Sequence, residues 1–260
     1  NWSRDRYYYH KIDPVYSTQK PWVAEGERWD WVAIYDYQRD PEGNIVHGSN
    51  GFPLVNKFTT LKGYSEPDWI WGLSTSVNWK GITLSITIDG RVGGVGYSMT
   101  DQAMWNSGAH IDSDNQYRYE EVVNNNKTFI GQGVKVVSGK AEWDANGNVI
   151  MDNRVFAPND KVVSYQDYMM TTNPYASGDN KRAQNWFDKT FIKLRDLSIS
   201  YEIPQSVCQK IGMKGASVGF VGQNLLMWAK EFRFSDPDKV QDALSSPSIR
   251  YMGFNVKFDF

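Results

Sequence analysis

The chain has 260 residues, a formal net charge of -2 and one cysteine, Cys208, which exclude a basic nucleic-acid footprint and an intramolecular disulfide. No stretch approaches the roughly 18 apolar residues of a membrane-spanning helix, yet a mean hydropathy of -0.57 still admits a β-barrel, whose strands need only one apolar face. Aromatic residues make up 15% of the chain, with 11 Trp and 15 Tyr, a load suited to a carbohydrate-binding surface or to the girdles of a membrane barrel.

In chain order, Trp2 to Tyr9 and Trp29 to Tyr37 read as strands, and Asp40-Pro41-Glu42-Gly43-Asn44 as a turn. Period-two alternation then dominates. Trp69, Trp71, Leu73, Thr75, Val77 and Trp79 share one face of a strand, with Ile70, Gly72, Ser74, Ser76 and Asn78 on the other. Tryptophans at both ends with aliphatics between suit a lipid-facing strand with two interfacial belts. Lys80-Gly81 is a short turn, and Ile82, Leu84, Ile86 and Ile88 alternate with Thr83, Ser85, Thr87 and Asp89. A hairpin of a soluble β-sandwich alternates in the same way.

Ser98 to Gln184 is long, polar and poorly periodic, and it reads as one long loop. Within it, Asp144-Ala145-Asn146-Gly147-Asn148 predicts a hairpin turn. Phe191 to Ile203 is a strand with a bulge expected near Arg195-Asp196, because Ile192 and Leu194 are out of phase with Leu197, Ile199, Tyr201 and Ile203. Pro204 to Ile211 predicts one helical turn, with Cys208 a small apolar residue beside it. Ala216 to Trp228 and Ile249 to Phe260 are the last strands. Short turns alternate with longer loops, as in a barrel with short periplasmic and long outer connections.

Several segments together carry a family resemblance. Gly63-Tyr64-Ser65-Glu66-Pro67-Asp68-Trp69-Ile70-Trp71-Gly72-Leu73 leads into Val77-Asn78-Trp79-Lys80-Gly81, and Asp89-Gly90-Arg91-Val92-Gly93-Gly94 ends the hairpin. Phe191 to Pro204, Gly222-Gln223-Asn224-Leu225-Leu226, Asp236-Pro237-Asp238 and Pro247 to Val256 follow in order. The set resembles the C-terminal barrel portion of the SusC/RagA family of TonB-dependent transporters, over residues 60–100 and 186–260.

The resemblance implies an all-β fold, an antiparallel transmembrane β-barrel fragment. It comprises the last strands of a barrel of about 22, with Ser98 to Gln184 as a long extracellular loop. Residues 1–260 would be the C-terminal part of one barrel domain, without its plug. Residue 1, preceded by neither a methionine nor a signal peptide, is expected to be an internal cut. The implied function is import of a bulky glycan or peptide, not catalysis. The implied partners are a SusD-like surface lipoprotein, the TonB complex through the missing N-terminal region, the barrel-assembly machinery and outer-membrane lipid.

Tyr251, Gly253, Val256, Phe258 and Phe260 resemble the C-terminal signal that assembly machinery reads. Binding residues concentrate on loops. In the long loop, Trp105, Tyr117, Tyr119 and Trp143 are placed to stack on substrate, and Asp112, Asp114 and Arg118 to supply hydrogen bonds or charge. The same residues could instead pack the loop on itself or against the lipoprotein. His10, His47 and His110 lie in separate segments without ligand spacing, so no metal or other cofactor is expected. Two rival readings remain at this stage: a soluble carbohydrate-binding β-sandwich, and a glycoside hydrolase using two carboxylates.

Overall fold

The computed structural model describes residues 28, 30–144, 148–172, 183–239, 242, 244 and 248–260. The expected strand Trp2 to Tyr9 lies outside the described residues. Three short strands come first, β1 (Trp31–Ile34), β2 (Val46–His47) and β3 (Thr60–Tyr64). A hairpin follows, β4 (Trp69–Trp79) and β5 (Ile82–Val92), then β6 (Val95–Tyr97). The helices α1 (Met99–Ser107) and α2 (Gln116–Val123) come next. Six short strands follow, β7 (Phe129–Ile130), β8 (Val134–Ser138), β9 (Ala141–Trp143), β10 (Val149–Asp152), β11 (Val155–Pro158) and β12 (Val162–Val163). After α3 (Tyr165–Thr172) and β13 (Trp186–Asp188) come β14 (Phe191–Glu202), the short helix α4 (Gln205–Cys208), β15 (Gly215–Ala229) and β16 (Tyr251–Asp259).

The long strands form one antiparallel sheet in the order β16-β15-β14-β5-β4. Strands of 11, 11, 12, 15 and 9 residues reach the length a tilted strand needs to cross a bilayer. Lys80 and Gly81 both take positive φ, 49° and 84°. That geometry matches the twist of the strands it joins, so the register is fixed from the turn outward. Leu73 faces Ile88, Thr75 faces Ile86, Val77 faces Leu84 and Trp79 faces Ile82. On the opposite face, Ser74 meets Thr87 at 3.0 Å, Ser76 meets Ser85 at 2.9 Å, and Asn78 Nδ2 donates to Thr83 Oγ1 at 2.7 Å.

The expected bulge is present. Leu194 pairs with Ile88 while Asp196 pairs with Thr87, so Arg195 is the extra residue. It shifts the phase of β14, and Leu194, Leu197, Ile199 and Tyr201 therefore stay level with Ile88, Ile86, Leu84 and Ile82. The apolar face runs on through Val218, Phe220, Leu226 and Trp228 to Met252, Phe254 and Val256. Gly90 is required beneath Trp71, because a Cβ there would stand 2.7 Å from both the indole and the Phe191 carbonyl oxygen.

No described layer covers this apolar face: Phe254 is 85% exposed and Leu226 65%. Burying one such side chain is worth about 1.5–3 kcal/mol, so a whole face left in water would be strongly unfavourable. The sheet is open, because the outer edges of β4 and β16 have no strand partner among the described residues. Most fully buried side chains lie off the sheet, among them Ile34, Val46, His47, Asn185 and Cys208.

The chief departure from expectation is Ser98 to Gln184, whose described residues form a folded lobe rather than a structureless loop. Short polar helices build it, held by their ends. Ser98 Oγ accepts from the Asp101 N–H, Gly108 closes α1 with a left-handed φ of 71°, and Asn115 caps α2. Glu121 reaches across to α3, accepting from Ser164 Oγ and the Tyr165 N–H at 2.5 Å each. On either side of the predicted turn, β9 and β10 pair antiparallel, and the Asp144 N–H donates to the Asn148 carbonyl at 2.9 Å; residues 145–147 lie outside the described residues. Of the expected strand from Trp29 to Tyr37, Trp29 lies outside the described residues and Trp31–Ile34 form β1, and the last strand, β16, begins at Tyr251 rather than at Ile249.

Candidate functional site

A cleft of about 450 Å³ opens beside α1 and α3, within the size range of small-ligand sites. Its aromatic wall is Trp105, stacked flat on His110 with ring centroids 4.0 Å apart, with Phe234 edge-on to His110 at 4.9 Å. The Asp112 N–H donates to His110 Nδ1 at 3.1 Å. Nε2 is then the proton-bearing nitrogen, and it faces Asp101 Oδ1 at 3.2 Å. Burial pushes the Asp101 carboxyl above the usual carboxylate range, against the pull of His110. Arg233 donates to Asp112 at 2.5 Å, and that hydrogen bond holds the Asp112 carboxyl low.

Tyr168 also lines the cleft and belongs to an aromatic cluster behind it. Tyr168 OH lies 3.0 Å from Nε2 of the buried His47, and Phe129 packs edge-on to Tyr168 with centroids 4.9 Å apart. Burial pushes the Tyr168 phenol up to about 12 and pulls the His47 imidazole below its ordinary value. Gly131 makes room here, since a Cβ would stand 2.6 Å from both His47 and Tyr168. Flat aromatic faces beside paired charges suit stacking and hydrogen bonding to a polar ligand. Asp101 and Asp112 are each engaged by a partner, which does not set them out as an acid and base pair.

Of the residues expected from sequence, the cleft brings together Trp105 and Asp112. Tyr117 instead packs in the lobe, edge-on to Phe129 at 5.2 Å. Arg118 is a strap inside the lobe, donating to the Gly108 carbonyl at 2.7 Å and to Ser113 Oγ at 2.9 Å. Asp114 and Tyr119 are exposed and do not line the cleft, nor does Trp143, which pairs with Val149 in the β9–β10 hairpin. The final-strand residues divide between faces. Val256 and Phe258 face Val218 and Ala216, whereas Tyr251 and Gly253 fall on the opposite parity, facing Gln223 and Val221.

Sequence reasoning misses Asp101, His110, Tyr168 and Arg233 as cleft residues. In the sequence His110 is only one of three histidines without ligand spacing, and Arg233 lies in a segment that reads simply as a connection. The Ser98 and Gly108 caps are the signal that could reveal α1. Among the described residues, no three or more His, Cys, Asp or Glu gather as a metal site.

No protein-family model matches the sequence, and no curated protein matches it. Among solved structures, a chain of the RagAB peptide importer in its closed-closed state superposes with a TM-score of 0.51 at 17% identity, over 96% of this chain and 25% of that one. A chain of the same importer in its open-open state gives 0.49 at 16% identity, over 91% of this chain and 23% of that one. The chain has the fold of part of an importer chain. It spans about a quarter of that chain's length, and at this identity the likeness is one of fold.

Proposed function

We propose that this chain is part of the wall and outer surface of a TonB-dependent outer-membrane transporter that imports a bulky nutrient, a glycan or a peptide. The apolar, uncovered face of the five-stranded sheet carries the reading. Trp69 and Trp228 stand near one end of that face and Trp79, Tyr201 and Phe258 near the other, which suits two aromatic girdles around a lipid-facing band. The polar face, with its hydroxyl and amide ladder, would line the lumen. The lobe would stand outside the membrane beside a SusD-like lipoprotein, with the cleft among the first surfaces to meet the nutrient. TonB would act through the N-terminal region, and the barrel-assembly machinery would insert the chain through β16. No catalytic role is assigned.

The test is uptake by cells carrying the full-length protein. Labelled oligopeptides and oligosaccharides of porin-excluded size should enter only when the protein and an energised TonB system are both present. Uptake unchanged by deleting the protein, or a full-length protein found in the soluble fraction, would overturn the reading.

A further inference from the structure

The segment joining β15 to β16 makes charged contacts in two directions. Toward the sheet, Lys193 lies on the polar face of β14 and is 3% exposed, and Asp236 is 5% exposed. The Lys193 ammonium donates to Asp236 Oδ2 at 2.6 Å and to Asp238 Oδ2 at 3.4 Å. Arg195, the bulge residue, holds Asp89 through two hydrogen bonds of 2.7 and 2.8 Å and donates to Asp238 at 2.5 Å. Arg91 reaches the other oxygen of Asp238 at 3.0 Å. Three cations thus meet three carboxylates, two of which come from the segment. Burial works against the Asp236 carboxylate, but the hydrogen bonds from Lys193 and Ser248 hold its carboxyl below the usual range.

Toward the lobe, Arg233 pairs with Asp112, and Phe234 packs on His110. The Asp242 carboxylate accepts from Ser98 Oγ and from Thr100 Oγ1, and its carbonyl accepts from the Met99 N–H at 3.1 Å. These are the start of α1, its cap and the loop after it, the elements that carry Trp105 and His110. Glu231 and Arg233 themselves line the cleft.

We infer that residues 231–239, with Asp242, form an ionic strap that ties the cleft to the polar face of the sheet, and that Lys193 and Arg195 are positioning residues for the cleft. They touch none of its aromatic wall, but they fix the carboxylates on which the strap is anchored. Removing the anchor would leave Lys193 buried without its counter-charges, so the strap cannot leave the sheet without cost. The Arg233–Asp112 pair, about half exposed on both sides, is the end that salt screens. Coupling of this kind is reciprocal: what loosens one end loosens the other.

Amide hydrogen exchange on the full-length protein tests the inference. Asp238→Asn weakens the sheet end without touching the lobe. Exchange of residues 101–114 should then speed up roughly fivefold or more while residues 74–86, at the turn end of the β4–β5 hairpin and away from Arg91 and Asp89, are unchanged, and Asp238→Glu should restore slow exchange. Faster exchange confined to 236–239 would overturn the inference. Should Asp238→Asn fail to fold, Arg233→Gln at the exposed end reads the same coupling in reverse. It should speed exchange at 236–239, and no change there would equally overturn it.

Discussion

Phe220 and Phe254 meet edge to face across β15 and β16, with ring centroids 5.6 Å apart, on a surface that nothing in the described chain covers. Such a pair is worth about 0.5–1.5 kcal/mol beyond its burial. It does not relieve the exposure of the outer ring, Phe254 at 85%. A soluble sandwich would lay a second sheet over these rings. Under the proposed function, a bilayer would solvate this surface instead.

Ile86 sits between Leu197 on β14 and Thr75 on β4, near the middle of the sheet. Ile86→Arg should cost about 2–4 kcal/mol if that point lies at the bilayer midplane. Ser85→Arg, one residue away on the polar face, should cost much less. Urea titration of the full-length barrel in lipid vesicles, followed by heat-modifiable gel mobility, measures both. Equal costs would contradict the assignment of faces.

The last strand is an exposed edge that closure of a barrel would have to pair. Phe260 is 79% exposed, and its carbonyl accepts from Lys214 Nζ at 2.8 Å. Removing Phe258 to Phe260, or the milder Phe260→Ala, should lower the amount of folded protein in the outer membrane, measured against total expression. Unchanged folded protein would refute a role in assembly.

Trp105 and Tyr119 belong to one lobe but differ in what they meet. Trp105→Ala removes the ring stacked on His110 and should weaken nutrient binding, while the lipoprotein still co-purifies. Tyr119→Ala alters an exposed ring off the cleft and should leave nutrient binding unchanged. Calorimetric titration with nutrient and affinity co-purification separate the two. Loss of binding in Tyr119→Ala alone would move the site away from the cleft.

His47 gives the lobe a pH dependence whose sign follows from burial. Its folded-state pKa is lowered, so in acid the unfolded chain takes up a proton that the folded lobe resists. The stabilising contribution is complete above the unfolded value of about 6.5 and is lost as pH falls through the depressed folded value. Protection of the α3 amides, corrected for the intrinsic exchange rate at each pH, should therefore fall as the pH drops below the ordinary histidine value, and His47→Gln should flatten that slope. An unchanged slope in His47→Gln would assign the effect to another group.

The sheet is legible in the sequence because each strand states its two faces separately. Even the Arg195 bulge appears as a break in phase between Leu194 and Leu197. The lobe is not, because helices of 8 or 9 residues are too short to show a clear period, and their caps at Ser98, Gly108 and Asn115 resemble loop residues. The strap is hidden for another reason. Lys193 and Asp236 lie 43 residues apart, and nothing local in either motif names the other as its partner. Trp105 and Asp112 stand out as loop residues suited to stacking and charge, but only the fold of α1 and the turn at His110 bring them to one cleft.

The lipid-facing assignment is tested most directly by labelling positions 82–89 of β5 one at a time with a nitroxide and measuring accessibility to oxygen and to a water-soluble nickel complex in vesicles. Positions 82, 84, 86 and 88 should favour oxygen, and 83, 85, 87 and 89 the nickel complex, in strict alternation. Even positions shielded from both reagents would mean that a protein layer covers this face, and the membrane account would be wrong.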